Sequence, residues 1–267
     1  MTLQPWMDWL TQHMVLGLLV LTRLGMLLMA MPAIGVGVPK RVRAILAIMM
    51  TALLMPSLVD AVGPNDLPQI DHLADLALAI IREGLIGMLI GATLQMVITG
   101  MQLAGEAITS TGGMQLGDAI DPATQANMPS LARLVGMMVT AIMLVSGGHR
   151  LVLTLLMDSF SLVPAGNVTL DDSMLQVVID SISGAMASGV RVSAPVIAAL
   201  LLSNLVTGLI SRTMPQINVL AIGLSVNSLA MLVVTALTIG SAAWLFQDQL
   251  TAQVDRLMTL WIEPAHV

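Results

Sequence analysis

Apolar residues run along this chain in long blocks, not in the strict alternation of strands, and the polar residues gather between the blocks. A helix needs about 20 mostly apolar residues to cross a bilayer, and roughly six blocks approach or exceed that length. They extend over His13 to Ile34, Ala44 to Val62, Leu73 to Gly100, Leu131 to Leu162, Leu175 to Ile210 and Ile217 to Phe246. The pattern predicts an all-α, polytopic membrane protein. Two blocks carry internal punctuation. "SGGHR", Ser146 to Arg150, divides the fourth into two half-length helices joined by a hairpin turn. Leu175 to Ile210 is too long for one simple span and contains Gly184, Gly189, Arg191, Pro195 and Asn204, which predicts a kink or a split.

Composition sharpens this picture. Of 267 residues, 57% are hydrophobic and 10% charged, with a mean hydropathy of +0.91, far from a soluble domain. The net charge of −6 argues against a nucleic-acid partner, because only Lys40, Arg41 and Arg43 cluster as phosphate binding requires. By the positive-inside bias, that cluster places the link between the first two blocks on the cytoplasmic side. With no cysteine, disulfides, thiolate metal sites and cysteine nucleophiles are excluded. No basic segment precedes the first apolar block, so a cleavable signal peptide is not expected. The 23 methionines fit an adaptable core, and Trp6, Trp9, Trp244 and Trp261, near the chain ends, fit rings at a membrane surface.

Charges inside apolar blocks need an account. Arg23, Arg82, Glu83, Asp158, Asp180, Arg191 and Arg212 all lie within or at the rims of these runs. One central Arg costs about 2.5 to 3.5 kcal/mol on insertion scales, which a single Leu-rich run tolerates. Seven such residues imply pairing inside a bundle or segments outside lipid. Gly87 and Gly91 have GxxxG spacing, which lets helix backbones approach closely, within one chain more readily than between two.

Catalytic motifs are missing. HExxH, GxSxG and GxxxxGK[ST] do not occur, so metalloprotease, serine hydrolase and P-loop readings lack their minimum residues. Asp118 and Asp121 could serve as a carboxylate dyad only from facing helices, whereas they lie three apart in a Gly- and Pro-rich loop. Asp121 followed by Pro122 fits a turn or helix cap. His149 beside Gly147 and Gly148 fits a turn more readily than a proton relay. Between Ser211 and Asn227, Arg212, Pro215, Gln216 and Asn218 break a long apolar stretch and predict a hairpin corner with a polar tip.

At this point the chain resembles the FliR family of type III secretion export-gate proteins, and the resemblance covers nearly all of it. It rests on five stretches in order. "MPAIGVGVPKRVRAILAIMM" matches through Pro32, Pro39, Lys40, Arg41 and Arg43, and "GMLIGATLQM" through Gly87, Gly91 and Gln95. The central loop matches through Gly105, Glu106, Asp121, Pro122, Asn127, Met128, Pro129 and Arg133. "GGHRLVLTLLMDSFSLVPAG" matches through Gly148, His149, Ser159, Phe160, Pro164 and Gly166, and "RTMPQINVLAIG" through Arg212, Pro215, Gln216, Asn218 and Gly223.

The resemblance implies kinked helical hairpins assembling with FliP and FliQ subunits into a ring that closes a channel for unfolded export substrates. The part up to about residue 170 resembles a FliP subunit and the remainder a FliQ hairpin. Further implied partners are FlhB- and FlhA-type export proteins, and the implied location is the bacterial inner membrane at the flagellar basal body. No catalytic, metal or cofactor residue is implied. Ser110 to Gln125 would fold into the channel as a plug, carried by Gly112, Gly113, Met114, Gln115, Leu116, Gly117, Asp118, Ile120, Asp121 and Pro122. Gly87, Gly91, Arg212, Pro215, Gln216 and Asn218 would serve packing and the corner. Two stretches depart from the family pattern: no aromatic residue lies between Gly112 and Pro129, and "GLSVN" follows the corner where relatives tend to carry a proline and a basic residue. A virulence-injectisome subunit of SpaR, YscT or EscT type and, further off, a secondary transporter are the alternatives.

Overall fold

The structure is a computed structural model that describes residues 4–31, 39–61, 72–113, 130–166, 172–214 and 219–262. Among these residues every regular element is a helix. In chain order they are α1 (Gln4–Ala30), α2 (Lys40–Ala61), α3 (Leu73–Thr111), α4 (Ser130–Val145), α5 (Gly148–Leu162), α6 (Asp172–Thr213) and α7 (Val219–Ile262). The all-α architecture expected from the apolar blocks is the one observed.

Local sequence sets the boundaries. Pro39 stands just before α2, where its missing N–H forfeits no helical bond, and its carbonyl accepts the amides of Val42 (2.9 Å) and Arg43 (3.4 Å). α3 closes on two glycines. The Gly112 amide still reaches the Ile108 carbonyl at 2.9 Å, and Gly113, at φ 74°, turns into the left-handed region that stops a helix. Between α4 and α5, Gly147 adopts φ 80° and ψ 17°, so the break expected at "SGGHR" falls there.

Of the kink or split expected between Leu175 and Ile210, the split is absent. α6 runs unbroken through 42 residues with Pro195 inside it. A proline forfeits one backbone bond, while Val196 and Leu200, on the same and the next turn, are buried together with Ile108 and Met231 and hold the helix in its core.

The chain divides into two compact units: 1–95, 147–181 and 252–267 form the first, and 96–146 and 182–251 the second. In the first unit α1 packs along α2. Leu16, Leu19, Val20, Leu24 and Leu27 recur at helical spacing on the buried side of α1. Gly87 and Gly91 of α3 lie against the same helix. A Cβ at Gly87 would fall on the Arg23 carbonyl oxygen, and one at Gly91 would lie 2.5 Å from the Ala30 Cβ. The end of α7 joins this unit through Leu257 and Trp261, both buried, and Ser181 donates to Gln253 Oε1 at 3.0 Å. Trp261 is therefore a core residue rather than the surface anchor its position near the chain end predicted.

In the second unit, Ile108, Val196, Leu200 and Met231 form a common core. α3 and α6 touch backbone to backbone: a Cβ at Gly100 would collide with the Ala185 carbonyl, and one at Gly189 would lie 2.6 Å from the Gly100 carbonyl oxygen. α6 and α7 are tied by a polar ladder in which Ser203 donates to Asn227 Oδ1 and Asn227 Nδ2 donates to Asn204 Oδ1, each at 2.7 Å.

Among the described residues, four stretches are long and apolar enough to cross a membrane, His13–Ala30, Lys40–Val59, Asp172–Thr213 and Gly223–Trp261, with Leu134–Val145 and Gly148–Leu162 together making up to a fifth. The apolar pattern predicted roughly six. α3 is not among the stretches found; its Ile86, Leu89, Ile90, Leu94, Val97, Ile98, Met101, Ala104 and Ile108 are buried in protein.

Candidate functional site

Of the charges that sequence places inside apolar blocks, two meet in the first unit. Arg23 of α1 and Glu83 of α3 are both fully buried, and Arg23 Nε donates to Glu83 Oε2 at 2.6 Å. The rest of the guanidinium is spoken for. Nη1 donates to the Ser159 carbonyl (3.0 Å) and to Ser159 Oγ (3.1 Å), and Nη2 donates to the Val163 carbonyl at 3.1 Å. The other carboxylate oxygen of Glu83 accepts the Gly166 amide at 2.8 Å. Phe160 covers the guanidinium, its ring centroid 4.2 Å from Cζ.

Each element contributes for a local reason. Ser159 and Phe160 occupy the last turn of α5, where the helix dipole is negative and carbonyls have acceptor capacity to spare, so a cation there is favoured. Gly166 adopts φ 94°, which aims its amide back at Glu83. Gly87 lies one turn beyond Glu83, and only a residue without Cβ lets α3 approach the backbone of Arg23 this closely. The arrangement is a clamp joining α1, α3 and the end of α5. Every nitrogen of the fork and both carboxylate oxygens have partners, so its chemistry is to hold rather than to react.

The remaining in-run charges behave differently. Asp158 and Asp180 are half-buried, and Gln176 donates to Asp180 Oδ1 at 3.1 Å. Arg82, Arg191 and Arg212 are exposed. Arg212 stands in the last turn of α6, where a cation complements the dipole. His149 is exposed in the first turn of α5.

Of the predicted plug, Ser110 to Gln125, the structure describes Ser110 to Gly113: Ser110 and Thr111 are the last residues of α3, and Gly112 and Gly113 follow them. Gly112 is buried at the end of α3, with Leu200 Cδ1 3.7 Å from where its Cβ would stand, and Gly113 has open space around it. Met114, Gln115, Leu116, Gly117, Asp118, Ile120, Asp121 and Pro122 lie outside the described residues, as do Pro215, Gln216 and Asn218 of the corner. Gly87 and Gly91 take up their close approach inside the chain, against α1. Among the described residues, no three His, Asp or Glu side chains gather as metal ligands would. Sequence reasoning flagged Arg23 and Glu83 as charges in need of partners. It could not show that they serve each other, or that Ser159, Val163 and Gly166 complete the set.

Long apolar helices in a chain of which only 10% is charged define an all-helical, multi-pass membrane protein. The chain belongs to the bacterial export proteins, family 1, whose family model matches residues 14–252. It is 33% identical over 223 residues to the flagellar biosynthetic protein FliR of Escherichia coli K12, covering 83% of this chain and 82% of that one. With FliR of Caulobacter vibrioides it shares 27% identity over 238 residues, 89% of this chain and 93% of the relative. The surface presentation of antigens protein SpaR of Salmonella typhimurium is 28% identical over 164 residues, 61% of each chain.

Proposed function

We propose that this protein is a non-enzymatic subunit of the flagellar type III protein export gate. It helps form and seal the channel through which unfolded flagellar proteins leave the cell, and it acts in the bacterial inner membrane at the flagellar basal body. The observation that carries this reading is the 33% identity to a flagellar biosynthetic FliR over 83% of the chain. On this reading FliP and FliQ are its neighbours in the gate, and FlhB- and FlhA-type proteins deliver substrate to it. The segment from Ser110 to Gln125 is the plug, leaving α3 at Gly112 and Gly113, and the helices after about residue 170 make the FliQ-like part.

A second reading, the equivalent subunit of a virulence injectisome, has the SpaR similarity in its favour. Deleting the gene in its own bacterium separates the two. Loss of motility and of flagellar protein export, with other secretion intact, is the expected outcome. Intact motility with lost effector secretion would transfer the chain to the injectisome, and failure to co-purify with FliP and FliQ in mild detergent would remove it from the gate.

A further inference from the structure

The densest positive charge in the chain stands at the foot of a poorly covered apolar helix. Lys40 and Arg41 are exposed and Arg43 is half-buried, all within the first turn of α2. From there Lys40–Val59 forms a candidate span with 17% of its residues buried inside the protein. The buried side is narrow: Ala47 and Leu58 lie on the stripe that faces α1. The opposite side carries Val42, Ile45, Ile48, Met49 and Leu53, between 48% and 77% exposed. Arg41 shares a helical face with Ile45 and Ile48, four and seven residues further on, so a cation caps an apolar stripe.

The acidic residues of the two neighbouring helices in sequence are remote from Lys40 and Arg41. In α2 it is Asp60, about 29 Å along the axis at 1.5 Å per residue. In α1 it is Asp8, near that helix's own start, and residues 32–38 contain no ionisable side chain. The N-terminal end of α2 adds its own partial positive charge, which favours an anion. A cationic end with uncovered methyl groups below it matches an amphiphile with a phosphate head and hydrocarbon tails. An acidic peptide would satisfy the cations and leave the stripe of Ile45, Ile48 and Leu53 uncovered.

We infer that the first turn of α2 binds the headgroup phosphate of an anionic phospholipid, with the acyl chains lying along the exposed face of the helix. This interaction surface is independent of the plug and requires only that the protein resides in a membrane. Arginine presents a planar fork to phosphate oxygens and lysine a point charge, so Arg41 supplies direction and Lys40 supplies attraction.

Native mass spectrometry of the full-length protein, equilibrated in mild detergent with equal phosphatidylglycerol and phosphatidylcholine, tests the inference. The wild type should retain phosphatidylglycerol preferentially, and Lys40→Gln/Arg41→Gln should bring the ratio toward parity, with about a five-fold loss per charge removed. Both side chains are exposed, so circular dichroism of the variant should match the wild type. Arg191→Gln removes an equally exposed charge from α6 and should leave the ratio unchanged. On the wild type alone, raising salt from about 0.1 M to 1 M should erode the preference, as the screening length falls from roughly 10 Å to 3 Å. The inference is overturned if the wild type shows no preference, if the double variant keeps it, or if Arg191→Gln loses it equally. Indifference to salt overturns it too, as does a double variant that keeps its lipid but loses a co-purifying protein, which would make the patch a protein-docking site.

Discussion

Arg23 shows how one residue can be both a liability and a requirement. In the candidate span His13–Ala30 it is a charge in an apolar run, and it is tolerated because four acceptor atoms and one aromatic ring receive it. Breaking a buried pair leaves a bare charge and costs about 3 to 5 kcal/mol, whereas replacing both partners by apolar groups is often nearly neutral. Arg23→Leu and Glu83→Leu should therefore each sharply lower the unfolding midpoint in a mixed-micelle denaturation, and the double substitution should recover most of the loss. Equal and additive losses would show that the clamp does not act as a pair. Arg23→Lys should also be destabilising, because one ammonium cannot reach Glu83, Ser159 and Val163 together.

The same residue-scale logic separates two glycines. At Gly87 a methyl group would meet the Arg23 backbone, which cannot rotate away, while at Gly25 on α1 nothing lies within 4 Å. Gly87→Ala should cost about 1 to 3 kcal/mol by overpacking. Gly25→Ala should be neutral or gain up to about 1 kcal/mol from helix propensity. The two variants compared in the same denaturation assay check this, and a Gly87→Ala protein as stable as Gly25→Ala would refute the close approach. Sequence indicated close packing through the Gly87 and Gly91 spacing. It gave no means of naming the backbone atom on the other side, because that atom belongs to a residue more than sixty positions away.

At the scale of elements, legibility followed how local the cause was. The break at Ser146–Gly147 was readable because two glycines in a row supply the left-handed backbone from within the turn itself, and Gly147 adopts it. The expected division of the Leu175 to Ile210 block was not observed, because the continuity of α6 depends on Val196 and Leu200 packing with residues from α3 and α7. The burial of Ile86, Ile90 and Leu94 in α3 was hidden for a similar reason: hydropathy registers that a residue is apolar, not whether lipid or protein covers it. Gly147→Ala tests the local case. The substitution forces a residue with a Cβ into φ 80° and should cost about 1 to 2 kcal/mol, read as a lower midpoint without loss of helical signal. An unchanged midpoint would mean that the turn does not require that conformation.

For the molecule as a whole, fold class and family were readable from the sequence, since long apolar blocks and five ordered motifs are properties of the entire chain. The plug proposed for Ser110 to Gln125 depends most heavily on sequence, since most of it lies outside the described residues. Its point of departure is described: α3 stops at Gly112, buried with Leu200 nearby, and the chain leaves through Gly113 at φ 74° with no neighbour within 4 Å. A valine at Gly113 meets open space, so it should not disturb the packing of α3; its penalty is purely conformational, because a β-branched residue resists positive φ. Gly113→Val should therefore leave co-purification with FliP and FliQ intact while reducing export. Deleting Gln115 to Ile120 removes most of the proposed plug and should raise ion leakage through the assembled gate. Both variants alter one segment, yet their faults should be opposite, one a hinge set in the wrong direction and the other a missing seal. Normal assembly with unchanged leakage after the deletion would take the plug away from this segment and return the sealing of the channel to the packed helices.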